Sequence, residues 1–283
     1  MFNNFKFYII IYLIVSIIFN QGYKIITKRN INDGVLTILI QLVSVITCIF
    51  LLPFFKFKFP SDFRIYILLL ISIIFYTIND RLGTTTRKHL ELSTYIILKQ
   101  LSTVFMIFMG ILFFKEPFIL HKFIGSLLII LSNVIVFYNK QNFKFNKYLI
   151  LGILANLSLA FALFLDVNNS NNFNLSFYIL LTFLIPLIII FLFEKIKIKN
   201  IVVEYKNSNK KVLIITGISW ALMMITKLKS YELESISIVA PLTSLTVILN
   251  VIVSYFLLKE KSNILKKLIA SILIIIGIIL IKG

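Results

Sequence analysis

The sequence is poor in the residues that build disulfides, metal sites and soluble surfaces. Its 283 residues include one cysteine and two histidines, Cys48, His89 and His121, so neither a disulfide framework nor a His/Cys metal-ligand motif is present. Charged residues make up 14% of the chain, whereas a soluble domain typically has about 25%. We therefore expect no metal site, no cofactor and no soluble domain.

Long hydrophobic runs take the place of these missing residues. Hydrophobic residues make up 59% of the chain, and a run of about 20 of them is long enough for one membrane-spanning helix. The runs between charged segments predict an all-α integral membrane protein with ten transmembrane helices. The predicted spans are Phe7–Ile26, Val35–Leu52, Phe63–Ile78, Leu90–Phe114, Phe118–Phe137, Tyr148–Leu165, Phe173–Phe193, Val212–Thr226, Ile236–Leu258 and Leu265–Ile281.

The charge of the chain is strongly positive, with 29 Lys and Arg against 11 Asp and Glu. Nearly all of these cations lie in short connections between spans, where they reach lipid headgroups, so a nucleic-acid partner is not expected. Loops on the side opposite the N-terminus carry most of the Lys and Arg. The positive-inside rule then predicts both termini outside the cell, for a multi-pass protein of the plasma membrane.

The two halves of the chain carry a weak repeat. Lys115 and Glu116 precede Lys259 and Glu260 by the same offset that separates Ser93 from Ser237. This register predicts two five-helix halves, residues 1–141 and 142–283. Because five is odd, the second half enters the membrane from the opposite side, which makes the repeats inverted.

These features carry a family resemblance. The two most specific stretches are 112–125, LFFKEPFILHKFIG, and 237–262, SIVAPLTSLTVILNVIVSYFLLKEKS. With ten spans and duplicated halves, the chain resembles the drug/metabolite transporter superfamily in its EamA-like ten-helix branch. The resemblance implies a permease for small metabolites rather than an enzyme. It also implies cytoplasmic termini, opposite to the charge count, so the orientation stays open.

Lys99 is the charged residue that the sequence places deepest in a span. Burying a charge at membrane depth costs at least about 2.5–3.5 kcal/mol, so such a residue is a functional candidate. Helical spacing puts Tyr95, Ser102, Thr103 and Met106 on its face. In the matched ninth span the corresponding polar residues are Thr243, Thr246 and Asn250. We expect these two stripes to face each other.

Further polar or aromatic candidates for substrate binding lie in other spans: Asn20, Gln21, Gln41, Tyr76 and Trp220. Each has a structural alternative, because polar side chains in membrane helices often only join helices by hydrogen bonds and the aromatic ones often only pack. Three further charged residues, Lys24, Asp80 and Asp166, lie near predicted span ends and are expected to face solvent or headgroups. No carboxylate is therefore expected deep in any span.

The sign of Lys99 suggests the transported class. A cationic site attracts carboxylates and phosphates and repels cations. The sequence thus favours a secondary transporter that moves a small anionic or zwitterionic metabolite, for example an amino acid-like solute, by alternating access, and a monomer is plausible. The alternative is a flippase for a polyprenyl-phosphate-linked sugar or another lipid headgroup. A membrane enzyme is disfavoured because the acidic residues are scattered.

Overall fold

The computed structural model describes residues 5–28, 32–102, 104–105, 120–137, 146–234 and 236–282. Within these ranges the chain folds entirely as helices, with two short 3-10 turns at Leu52–Phe54 and Ser170–Asn172. The α-helices are α1 Phe5–Thr27, α2 Asp33–Leu51, α3 Phe63–His89, α4 Leu92–Lys99, α5 Leu120–Phe137, α6 Lys147–Asn169, α7 Leu175–Phe193, α8 Ile198–Asn207, α9 Lys210–Leu233, α10 Ile236–Leu257 and α11 Ile264–Lys282.

Six of the described helices are long and apolar enough to cross a membrane: α1, α2, α3, α6, α7 and α9. Large apolar side chains such as Phe50 and Phe193 point away from the bundle, as lipid-facing residues do. Of the fourth predicted span, Leu90–Phe114, positions 103 and 106–114 lie outside the described residues. The count of ten spans therefore stays a prediction.

Asparagine and aspartate fix several helix starts. The side chains of Asn32, Asp62, Asn146, Asn174 and Asn209 each accept hydrogen bonds from backbone N–H groups in the first turn of α2, α3, α6, α7 and α9. Such caps satisfy donors that have no partner inside the helix. These capping residues thus determine where the five helices begin.

Two predicted span ends are wrong, and one helix was not predicted. Helix α3 continues beyond Ile78 to His89, and α9 continues beyond Thr226 to Leu233. Both extensions are more polar than the preceding run, yet they lack proline, and polar side chains such as Thr84 and Ser230 make hydrogen bonds inside the bundle. Helix α8 is a short amphipathic helix in the connection between α7 and α9.

The helix packing pairs the predicted halves with each other. Helix α1 packs on α9 and α3 packs on α6, while α2 contacts α7 and α5 contacts α11. The last pair is close, since a Cβ added at Gly277 would lie 2.7 Å from the carbonyl oxygen of Gly125. Backbones can approach this closely only where side chains are absent.

The apolar interior consists of two clusters. The larger one joins α1, α2, α3, α6, α7 and α9, and the smaller one joins α4, α5, α10 and α11. Helix α4 belongs to the smaller cluster, but its last residue, Lys99, lines cavities that also border α1, α6 and α9. This position puts the deepest predicted cation where the two clusters meet.

Candidate solute-binding site

Two adjoining cavities lie inside the bundle. We call the first the arginine cavity, lined among others by Asp80, Arg87, Tyr95, Lys99 and Trp220. We call the second the lysine cavity, lined among others by Asn20, Lys99, Ser102, Lys227, Thr243 and Thr246. The space inside them is small in this conformation, about 30 Å³ in the first and about 70 Å³ in the second.

Lys99 borders both cavities and is partly buried. It lies seven residues after Leu92, the first residue of α4, which is about 10 Å along the helix at about 1.5 Å per residue. Its ammonium group is repelled by Arg87 and Lys227 and attracted by Asp80. Lys99 is thus the cationic group common to the two chambers.

Arg87, near the end of α3, is the second cation of the arginine cavity. It is 94% buried, since its exposed fraction is 6%. The central carbon of its guanidinium lies 4.5 Å from the ring centroids of Tyr23 and Tyr95 and 5.3 Å from that of Phe19. Its Nε has no hydrogen-bond partner. The rings hold the planar cation in place and leave a donor for an anion.

Asp80 adds a negative group to the same cavity. Its carboxylate accepts hydrogen bonds from Gln41 Nε2 and from Asn79 Nδ2, each at 2.9 Å. Only 4% of Asp80 is exposed. Gln41, predicted to contact the solute, is not among the residues that line either cavity, and its amide instead orients Asp80. The arginine cavity therefore presents both signs of charge.

The structure brings seven of the ten predicted binding residues to the cavity walls. Tyr76, Tyr95 and Trp220 line the arginine cavity, Asn20, Thr243 and Thr246 line the lysine cavity, and Lys99 lines both. Lys99 and Ser102 and their register partners Thr243 and Thr246 thus border one chamber. Thr103 and Met106, which are also predicted to lie on the helix face of Lys99, are outside the described residues.

Gln21 and Asn250 are placed differently. Gln21 Nε2 donates to Ser254 Oγ at 2.9 Å and to Asn250 Oδ1 at 3.4 Å, which joins α1 to α10. Neither residue is part of either cavity lining. Their geometry matches the structural alternative, a hydrogen bond between helices.

The expectation that Lys24, Asp80 and Asp166 face solvent or headgroups is wrong, because all three are buried. Lys24 Nζ donates to the carbonyl oxygens of Arg87 and Leu90, each at 2.6 Å, and so caps the end of α3. The Asp166 carboxylate accepts the hydroxyl hydrogens of Tyr76 and Tyr178 at 2.6 and 2.5 Å. Two carboxylates therefore lie inside the bundle, contrary to the prediction.

Sequence reasoning missed Asp80, Arg87 and Lys227, and a signal for the first two was present. Tyr76, Asp80, Thr84 and Arg87 are spaced by four, four and three residues, which places them on one face of a continuing helix. Hydropathy ends the span at Ile78 because it weighs each side chain as if it faced lipid. A polar stripe that lines a cavity escapes this criterion.

The described helices and their apolar outer surface define an integral, multi-pass membrane protein. Residues 146–283 match the model of the EamA-like transporter family, and this confirms the predicted resemblance to the drug/metabolite transporter superfamily. No curated protein gives a significant match. One solved crystal structure aligns over 97% of both chains with 13% identity and a TM-score of 0.52, which shows a shared fold.

Proposed function

We propose that this protein is a secondary transporter that carries a small anionic or zwitterionic solute across the plasma membrane by alternating access. The family match supports transport of a small solute. The observation that carries the finer proposal is the position of Lys99, a cation on the wall shared by two chambers inside the bundle. A solute bound to Lys99 has contact with both chambers.

The proposed architecture is a pair of inverted five-helix halves, residues 1–141 and 142–283. The packing supports it, because α1 on α9 and α3 on α6 are the same contact with the halves exchanged. In the proposed order of crossings these are the first on the eighth and the third on the sixth. Two such halves can rock about a central site and form states open to opposite sides.

The charges of the site support the solute class. Arg87 and Lys99 attract a carboxylate or a phosphate, while Asp80 offers a partner for an ammonium group. A simple cation meets two positive groups and one negative group in the same cavity and is disfavoured. An anion or a zwitterion is the class that this arrangement can hold.

The test is uptake into proteoliposomes that contain the purified protein. Labelled L-alanine, succinate and choline serve as zwitterionic, anionic and cationic probes. We expect saturable uptake of L-alanine or succinate and none of choline. We expect Lys99→Gln to lower that uptake by about tenfold or more, the value of one charged hydrogen bond of about 1.5–3 kcal/mol.

Lys229→Gln is the matched control. Lys229 is on α9 and pairs with Glu232 at 2.7 Å, and it lines neither cavity. Uptake by the Lys229→Gln variant should stay within about twofold of uptake by the unaltered protein, because loss of a surface ion pair usually has a small effect. Uptake of choline alone, or full uptake by Lys99→Gln, contradicts the proposal. Movement of a fluorescent polyprenyl phosphate between leaflets without uptake of any probe favours the flippase instead.

A further inference from the structure

The lysine cavity contains a second ammonium group, that of Lys227, which the proposed function leaves unused. Lys227 is on α9, is partly buried and lines this cavity together with Lys99 on α4. The two ammonium groups repel each other electrostatically. Two like charges that share a partly buried chamber repel each other, and an anion bound between them would offset this repulsion.

Lys227 has no fixed hydrogen-bond partner of its own. Within the described part of the chain, no hydrogen bond or ion pair joins its Nζ to another side chain or carbonyl. Asp166 attracts it at longer range, but the two Asp166 oxygens already accept the hydroxyl hydrogens of Tyr76 and Tyr178. The donors of Lys227 are therefore available to a bound molecule.

Asn20 supplies a second, independent polar group to this chamber. It is 96% buried, with an exposed fraction of 4%, and its Oδ1 has no hydrogen-bond partner. Its Nδ2 makes one long hydrogen bond of 3.3 Å to Ser16 Oγ. Because the two ends of an amide are interchangeable by rotation, Asn20 can also present its NH2 group to the cavity. A buried amide left unpaired in this way points to a ligand.

We propose that Lys99 and Lys227, with Asn20, form a second anion-binding site, which we call the second station. The first station is the site that Arg87 and Lys99 form in the arginine cavity. This inference rests on the proposed function and adds a route within it. The carboxylate or phosphate of the solute is held by Arg87 and Lys99 in one part of the transport cycle and by Lys99 and Lys227 in another. Lys99 contacts the anion at both stations.

The positions of the two terminal cations fit such a route. Arg87 is close to the end of α3 and Lys227 is in the last two turns of α9. These helices are the third crossing of each proposed half and run in opposite directions through the membrane. Each half thus contributes one cation near the end of its third crossing, and the two cations lie toward opposite faces.

The first test compares Lys227→Gln with Lys229→Gln in the uptake assay with L-alanine and succinate. We expect Lys227→Gln to lower the maximal rate by about tenfold, as expected for a charged contact, and Lys229→Gln to change it less than about twofold. Equal rates for the two variants overturn the second station. They leave the proposed function intact if Lys99→Gln still lowers uptake by about tenfold or more.

The second test separates charge from structure by chemical modification of Lys227→Cys. The only other cysteine, Cys48, is fully buried. A methanethiosulfonate reagent that attaches an aminoethyl group restores an ammonium at this position, and a sulfonatoethyl reagent places an anion there. We expect the first to recover uptake by about fivefold or more and the second to recover none. Equal effects of the two reagents overturn the proposal.

The same variant reports binding directly, without transport. Sodium acetate, succinate and phosphate are each tested for slowing the modification of this cysteine in purified protein, with sodium chloride at equal ionic strength as the reference. We expect at least one of them to slow it by about fivefold, and to do so still when Arg87→Gln is added. Unchanged rates with all three salts contradict an anion station at Lys227.

Discussion

At the scale of single residues, the site depends on how Arg87 is held. Its guanidinium lies against Tyr23, Tyr95 and Phe19, and Trp220 stacks on Phe19 with ring centroids 5.3 Å apart. These aromatic walls fix the plane of the cation and keep water away from its faces. A guanidinium fixed in this way can offer two parallel donors to a carboxylate, which a lysine ammonium cannot do.

We therefore predict that Arg87→Lys keeps the charge but loses this geometry. The KM for the transported solute should rise by about tenfold, because one charged hydrogen bond and the ring contacts are lost. Arg81→Lys is the control. Arg81 is also on α3, but it is more exposed than Arg87 and pairs with Glu194, at the end of α7. Uptake kinetics in proteoliposomes measure both, and gel filtration confirms that each variant is folded. An unchanged KM for Arg87→Lys argues against an anchoring role.

The residue scale also shows what the sequence could and could not predict. The sequence identifies Lys99 because a lone cation inside a hydrophobic run stands out. The same pattern predicts that Arg87 and Lys227 lie in loops, because each follows the end of a hydrophobic run. Their burial depends on side chains from distant helices, such as Phe19 beside Arg87, and no local pattern encodes those contacts.

At the scale of elements, the turn between α3 and α4 is tied to the other half of the chain. The Glu260 carboxylate accepts from the backbone N–H groups of Leu92 and Ser93 at 2.7 and 3.0 Å, and from Ser93 Oγ at 2.6 Å. The Lys-Glu turn before α11 thus caps α4. Glu91 in turn contacts Ser262 and Lys267. The capped helix, α4, is the one that ends at Lys99.

Replacement of Glu260 by Gln should weaken this cap. An amide has only one acceptor oxygen and no charge to interact with the N-terminus of α4, so the free energy of unfolding should fall by about 1–2 kcal/mol. Unfolding of the purified protein in mixed detergent micelles measures this change. Glu204→Gln on α8 is the control and should have little effect, because α8 has no buried residues. Equal stabilities for the two variants contradict the capping role.

At the scale of the whole molecule, the helix packing contains contacts that correspond to each other when the two proposed halves are exchanged. Exchanging the proposed halves turns the contact of α2 with α9 into the contact of α3 with α7. It likewise turns the contact of α1 with α9 into the contact of α3 with α6. The hydrophobic runs could predict the six described helices that are long and apolar enough to cross a membrane, because each helix must satisfy its backbone hydrogen bonds internally in lipid. They could not predict α8, because this amphipathic helix of 10 residues is too short and too polar to be identified as a membrane span.

The amphipathic helix α8 also bears on the orientation of the chain. Lysines 195, 197, 199, 206, 210 and 211 lie in or beside it, and its apolar residues Ile198 and Val202 are exposed. A short helix with this composition lies at the membrane surface, and its lysines favour the cytoplasmic leaflet. These six lysines are part of the charge count, which predicts that this side of the protein is inside.

Inverted halves require that the connection before α3 and the connection holding α8 lie on opposite sides of the membrane. Ser61 and Asn200 are exposed residues in these two connections, and five proposed crossings separate them. We predict that a membrane-impermeant maleimide labels Ser61→Cys in intact cells, and labels Asn200→Cys only after permeabilisation. Cys48 is buried and the unaltered protein gives the background. Labelling of both variants from outside means an even number of crossings between them, which is incompatible with inverted five-helix halves. Labelling of Asn200→Cys alone keeps the inversion but reverses the orientation.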